Sequence, residues 1–240
     1  MNDPYYPRKL LVTGATHGIG AAITRHLLAL NHRVIGVGRD FSDWPIETAG
    51  LERVAIELSD LEKLPDQLSQ IIRLHPDLDG VVLNAGFGRF GSLEEFSYLQ
   101  IREMIDTNLT QHLICARVLV PHLKRLGRGD IIIIGSESAL SGGKKGSLYS
   151  ACKFALRGFS QSLRDECSVN GLRVCLINPG MVSSGFFDNL DFSPGDAPEN
   201  HLRAEDIAEV VNMVLTAHPG TVFDEINLNP LKKVIQFKPK

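Results

Sequence analysis

The chain has 240 residues, a formal net charge of −3 and an apolar fraction of 43%. That is enough to fill one α/β core, which can run to about 250 residues without splitting, and too apolar for a disordered chain. No basic excess points to nucleic acid or to an anionic membrane surface, and no run approaches the roughly 18 apolar residues of a membrane-spanning helix.

Residues 1–8 hold no apolar run of signal-peptide length. Cys115, Cys152, Cys167 and Cys175 show neither CxxC nor metal-ligand spacing. They read as small core residues in a reducing compartment, so cytoplasm is the expected location and no metal is expected.

Taken in chain order, short apolar strands alternate with longer amphipathic stretches. A strand at 10–12 is followed by a glycine-rich turn and a helix at 19–30. Further strands fall at 33–37, 52–58, 80–83, 131–134 and 173–177, with a seventh at 222–227. The runs LLV, GVVL, IIII and VCLI are continuous rather than alternating, as in a parallel sheet covered by helices on both faces. The expected fold is a single α/β domain over residues 1–240, a doubly wound, mostly parallel sheet of about seven strands of the Rossmann type. The irregular stretch 183–201, rich in Gly, Pro, Asp and Asn, follows the sixth strand on the side where such sheets bind ligands. It is expected to form a substrate loop of about 183–203.

The first turn reads Thr13-Gly14-Ala15-Thr16-His17-Gly18-Ile19-Gly20, a GxxxGxG between a strand and a helix. Gly14 permits the tight turn, Gly18 lets the backbone approach a pyrophosphate, and Gly20 lets the helix pack close to the sheet. The helix start then offers N–H groups and a positive dipole end to the anion. In that position the turn is expected to bind a dinucleotide; alone it would be a weak signal.

A carboxylate ending the second strand would bind both ribose hydroxyls of NAD. Here that position is Gly38, followed by Arg39 and Asp40. Without the acid there is no repulsion against a 2′-phosphate, and a guanidinium can pair with that phosphate. NADP(H) is the expected cofactor. NAD(H) is the alternative, with Arg39 solvated and Asp40 acting one place late.

Further along come Asn84-Ala85-Gly86, Asn108, Ser136, Tyr149-Ser150-Ala151-Cys152-Lys153 and Asn178-Pro179-Gly180. Their order and spacing over nearly the whole chain resembles the short-chain dehydrogenase/reductase family. The resemblance implies that Tyr149 is the catalytic acid/base, with Lys153, Ser136 and Asn108 completing a tetrad. It implies that Asn84, Ala85 and Gly86 line the adenosine-ribose side of the cofactor. Pro179, Gly180 and Val182 would lie beside the nicotinamide, and Ser184 would bond its carboxamide. Glu57 and Leu58 fall where members carry Asp and an aliphatic residue around adenine; the longer Glu57 is a departure. A homodimer or homotetramer, formed through long helices beginning near Asn108 and Tyr149, is also implied.

The residue types suit the chemistry. A free tyrosine has a pKa of about 10, and a nearby ammonium lowers it. Tyr149 and Lys153 are one helical turn apart and share a face. Tyr149 would deliver a proton to a carbonyl oxygen while the Ser136 hydroxyl stabilises it. The resemblance implies that Asn108 holds a water linking Lys153 to solvent. Each residue alone has a plainer reading: core aromatic, surface lysine, strand-end serine, helix cap.

The reaction expected is hydride transfer between nicotinamide and the carbonyl or secondary alcohol of a small molecule. Arg89, Lys144 and Lys145 near one mouth could attract a 3-hydroxy or 3-oxo acid, or they could be solvated. Phe186, Phe187 and Phe192 could form a closing lid or a packed loop. A 3-oxoacyl carrier-protein reductase and an NADP(H)-sensing protein without turnover are the alternative functions. The basic tail 232–240 could be solvated or reach a neighbouring subunit.

Overall fold

Successive strand residues point to opposite faces, so a strand without polar positions must be covered on both sides. The structure, a computed structural model, describes residues 7–238 and meets that demand. Seven strands carry the architecture: β1 (Lys9–Thr13), β2 (Arg33–Gly38), β3 (Leu51–Ala55), β4 (Gly80–Leu83), β5 (Gly129–Ile134), β6 (Leu172–Pro179) and, after three short ones, β10 (Glu225–Leu228). They pair in the order β10-β6-β5-β4-β1-β2-β3, all parallel. The helices are α1 (Gly18–Ala29), α2 (Leu64–Leu74), α3 (Tyr98–Ile105), α4 (Gln111–Leu126), α5 (Ser147–Ser168) and α6 (Ala204–Thr216).

The core divides as the strand alternation requires. Leu11, Val81, Leu83, Ile131 and Ile133 pack with Leu68, Leu119, Leu123 and Leu156 of α2, α4 and α5. Their neighbours Leu10, Val12, Val82, Ile132 and Ile134 pack on the other face with Ile23, Leu27, Val211 and Val214 of α1 and α6. At the amino ends of the strands Arg8 reaches Asp79 and Asp130 (3.1 and 2.6 Å), and Arg173 also pairs with Asp130 (2.7 Å). The opposite rim, at the carboxyl ends, is left for function. The order reverses between β1 and β4, which opens a crevice above their ends.

Three boundaries differ from expectation. β3 stops at Ala55 because its partner β2 ends at Gly38; Ile56 makes one last bond to the Gly38 carbonyl, and the chain then turns inward to bury Leu58. β10 lies at 225–228 rather than 222–227, its start set by pairing with β6 from Leu176. The stretch 183–201 is not structureless: β7 (Val182–Ser183) pairs with β9 (Leu202–Arg203), and β8 (Phe192–Pro194) pairs with β11 (Ile235–Phe237).

Candidate active site

The glycine turn is built from below. The buried Thr13 hydroxyl at the end of β1 accepts from the backbone N–H of Asn84 (2.9 Å) and Ala85 (3.1 Å), tying the carboxyl ends of β1 and β4 together. The Asn84 amide donates to the Thr13 carbonyl (3.0 Å), so this side chain shapes the turn from within. Gly14 has φ +65, and a Cβ there would meet Ala85 Cα at 3.0 Å. A Cβ on Gly20 would strike the Gly14 carbonyl. Gly18 has φ +53 and faces the Ser184 side chain across a gap of 3.7 Å from a notional Cβ. The cap residue of α1, His17, makes no side-chain hydrogen bond to the first turn, which leaves that turn's N–H groups for an anion. Its own imidazole lies 3.7 Å from Asp43 on the surface. The Thr16 carbonyl accepts from Trp44 Nε1 (3.2 Å), while Arg25 lies 4.8 Å over the Trp44 ring.

At the end of β2, Gly38 is buried against Thr16: a Cβ would lie 2.6 Å from Thr16 Cγ2. Asp40 is exposed. Both its oxygens accept from Ser42, backbone (2.8 Å) and hydroxyl (3.0 Å). Arg39 is 80% exposed on its side chain, and its nearest acid is Glu57 at 4.0 Å. Glu57 is also held by the Ser59 hydroxyl (2.7 Å), and Leu58 is part of the core.

The tetrad residues converge on the carboxyl ends of β4 and β5. Ser136 follows β5; its backbone N–H donates to Asn178 Oδ1 (3.2 Å), and its hydroxyl accepts from the Ser138 N–H (3.1 Å). Tyr149 and Lys153 lie on one face of α5, both buried, with Lys153 Nζ 5.7 Å from the tyrosine ring centre. Lys153 is therefore not a snorkelling surface residue. Its ammonium donates to the Ile134 carbonyl (3.1 Å). Asn108 is not a helix cap. It sits fully buried in a π-helical turn, Asp106–Thr110, between α3 and α4, a defect that such sites often contain. Its amide donates to Met104 O (3.1 Å) and its oxygen accepts from the Phe87 N–H (3.0 Å). A Cβ on Gly86 would meet that oxygen at 2.7 Å, so Gly86 is what lets the two segments close.

The pKa shift of Tyr149 runs opposite to the expectation. Burial pushes the phenol up to about 12, and a hydrogen bond from Ser136 pulls the other way. Burial also pulls Lys153 down to about 8. Sharing a helix face brings the two together, but burial, which disfavours the charged form of each, dominates both shifts.

At the β6 end Pro179 is buried; just beyond it Val182 is buried and Gly180 bonds the Leu228 carbonyl (2.7 Å). Ser184 accepts from the Phe186 N–H (3.4 Å). Phe90 and Phe186 then pack on Tyr149, at 5.3 and 6.0 Å between ring centres, and Phe187 and Phe192 pack on them in turn. The loop that carries the last three is strapped by the tail. β11 pairs with β8, Lys238 Nζ donates to the carbonyls of Phe187 (2.6 Å) and Asp188 (3.0 Å), and Lys233 pairs with Glu137 (2.6 Å), next to Ser136. The described part of the tail is thus packed on residues 187–194 of the same chain; residues 239–240 lie outside the described residues. Arg89 is paired with Glu103 (2.9 Å), whereas Lys144 and Lys145 stand exposed on the turn before α5.

Sequence reasoning did not single out Thr13, Trp44 or the role of Asn178. Asn178 is 1% exposed and donates to Glu225 (3.1 Å) and Asn227 (2.9 Å) of β10 while accepting from Ser136. Its signal was a polar residue closing an apolar strand.

A seven-stranded parallel sheet with a glycine turn at its switch point defines a dinucleotide-type Rossmann fold. The profile of the short chain dehydrogenase family matches residues 8–192, and the chain belongs to that family of oxidoreductases. It is 32% identical to dehydrogenase/reductase SDR family member 11 of Gallus gallus, over 95% of this chain and 97% of that protein. It is 30% identical to the 3-ketodihydrosphingosine reductase of Bacteroides thetaiotaomicron, over 78% of this chain and 68% of that one. Its fold is similar to that of an alcohol dehydrogenase from Thermococcus sibiricus complexed with 5-hydroxy-NADP, with a TM-score of 0.84 and 25% identity over 95% and 98% of the two chains. Among the described residues no helix is long and apolar enough to cross a membrane, and no cluster of His, Cys, Asp or Glu could hold a metal ion.

Proposed function

We propose that the chain is an NADP(H)-dependent oxidoreductase that interconverts a carbonyl and a secondary alcohol on a small molecule. The observation that carries the reading is the convergence of Ser136, Tyr149, Lys153 and Asn108 beside an uncapped glycine turn. Gly14, Thr16, Gly18, Ile19 and Gly20 cradle the pyrophosphate, and Arg39 meets the 2′-phosphate. Two facts favour NADP(H) over NAD(H): Asp40 is tied up by Ser42, and Gly38 has no room for a side chain. The Thermococcus sibiricus neighbour also carries a derivative of NADP.

Bound NADPH supplies a hydride. Tyr149 gives the proton to the substrate oxygen, and Ser136, fixed through Asn178, donates a hydrogen bond to that oxygen. Lys153 holds the ribose and supports the phenolate, and Asn108 fixes the backbone that passes over it. The whole tetrad argues against a sensor that binds NADP(H) without turnover. The 3-oxo or 3-hydroxy acid reading keeps Lys144 and Lys145 but loses Arg89 to Glu103, and so does the reading as a carrier-protein reductase, which needs a basic mouth.

We also read residues 1–240 as one catalytic domain in a cytoplasmic homodimer or homotetramer. Exposed Leu113 on α4 and Phe154 on α5 support this association, which light scattering tests directly.

The cofactor assignment is tested by titrating wild type and Arg39→Ala with NADPH and NADH, following nicotinamide fluorescence. NADPH should bind more tightly, and the variant should narrow the gap by about 1–3 kcal/mol, as for a lost charge-assisted contact. Equal binding of NADH by the wild type would sink the NADP(H) assignment. Retention of wild-type turnover by Tyr149→Phe would sink the proton donor.

A further inference from the structure

We infer that the substrate is an uncharged ketone or alcohol whose carbinol centre carries an aromatic or fused-ring apolar group; this rests on the reductase reading above. The chain has 11 phenylalanines; Phe90 and Phe186 lie against the Tyr149 ring, Phe87 packs on the same cluster, and Phe187 and Phe192 extend it through Phe186 and Phe90. They come from two separate segments, after β4 and after β7. The rings meet tilted or edge to face: Phe90 on Phe192 at 5.1 Å and 82°, Phe186 on Phe187 at 5.1 Å and 74°, Phe187 on Phe192 at 5.8 Å and 67°. All five are only half-buried, so they form an open aromatic wall rather than closed core. Contiguous apolar surface left open beside a reactive group marks a ligand surface.

The wall is built for rings. Gly88 carries no side chain where one would overlap Phe186 and lie 2.9 Å from Phe90, so both rings reach the tyrosine through that gap. Several of the charged groups bordering the wall are already engaged, while Lys144 and Lys145 stand exposed on the turn before α5. Arg89 lies 5.4 Å over the Phe87 ring and pairs with Glu103, Glu137 pairs with Lys233, and Lys238 is spent on backbone carbonyls. A carboxylate next to the reacting carbon would meet ring faces and be stripped of water without a partner there. A flat apolar group adds further edge-to-face contacts instead.

The test uses the full chain with NADPH and four probes in two matched pairs: 4-phenylbutan-2-one against butan-2-one, and ethyl 3-oxobutanoate against 3-oxobutanoate. We expect kcat/KM to favour the phenyl ketone, and the ester, each by at least about tenfold. Phe192→Leu, which keeps apolar bulk but removes a ring, should shrink the phenyl preference by about 3- to 10-fold. NADPH titration of the variant reports that it is folded. If 3-oxobutanoate is reduced as well as its ester, or the phenyl group confers no preference, the substrate inference is overturned while the hydride chemistry stands. If NADPH binds and none of the four is reduced, the reductase reading falls and takes the inference with it.

Discussion

Lys153 gives a quantitative handle on the buried site. It is 4% exposed, and burial lowers its pKa from the ordinary 10.5 to about 8. Between those two pH values the unfolded chain binds a proton that the folded chain lacks, so unfolding free energy rises with pH through that window. At about 1.4 kcal/mol per pH unit the contribution comes to about 3 kcal/mol. Below pH 8 the folded protein carries this cost in full; above 10.5 the cost is gone. Lys153→Met keeps chain length and removes the charge. Urea unfolding of both proteins without cofactor, from pH 7 to 10.5, should show the variant more stable by up to about 3 kcal/mol at pH 7. The gap should close as pH rises. Tyr149, raised to about 12, holds its proton longer in the folded state and lowers stability above pH 10, but it does so in both proteins and cancels in the difference. A gap that does not change with pH would refute the claim that Lys153 is desolvated.

Removing the carboxylate of Glu57 should help NADPH. Glu57→Gln frees Arg39 from an exposed pair at 4.0 Å and should tighten the NADPH Kd by about 2- to 5-fold at low salt, less at high salt. Gly38→Asp alone should weaken both cofactors, because its side chain meets Thr16; with Thr16→Ala added, NADH binding should recover and NADPH binding should not, as read by fluorescence titration. Asn178→Ala leaves the N–H of Ser136 and the acceptors on β10 without their donor or acceptor, so a stability loss of about 1–3 kcal/mol is expected, together with a fall in kcat. Lys238→Ala, or a chain ending at Pro230, should release the phenylalanine loop: limited proteolysis should cut faster at 185–195, and KM should rise while the NADPH Kd holds.

The fold was largely legible because the signal was two-sided burial. Runs such as IIII at 131–134 allow no solvent face, and the structure gives alternate residues to two different cores. Motifs at strand ends were legible for a related reason: polar residues that break an apolar run at its carboxyl end stand out, as Thr13 and Asn178 do, and here each is buried with hydrogen-bond partners. Boundaries were less legible where pairing, not hydrophobicity, sets them. β3 ends because β2 ends, and nothing in the composition of 56–58 says so. The tail was illegible for the same reason. Ile235 and Phe237 are 48% and 77% exposed, and their role as a strap depends on backbone pairing with Phe192–Pro194, some forty residues earlier in the chain.

The electrostatics of the site were the part most nearly inverted. Helical spacing correctly brings Tyr149 and Lys153 to one face, and from that alone the ammonium should lower the phenol's pKa. What spacing cannot give is the medium. Phe90 and Phe186 pack on the tyrosine, the Ile134 carbonyl accepts from the lysine, and in that buried setting each group retreats toward its neutral form. The same applies to Arg89. As a residue type it promises a pull on acids, but its pairing with Glu103 and its position over Phe87 turn it into part of an apolar wall. Polar residue types indicate which chemistry is available, and the burial and pairing around them, which spacing does not give, set their charge.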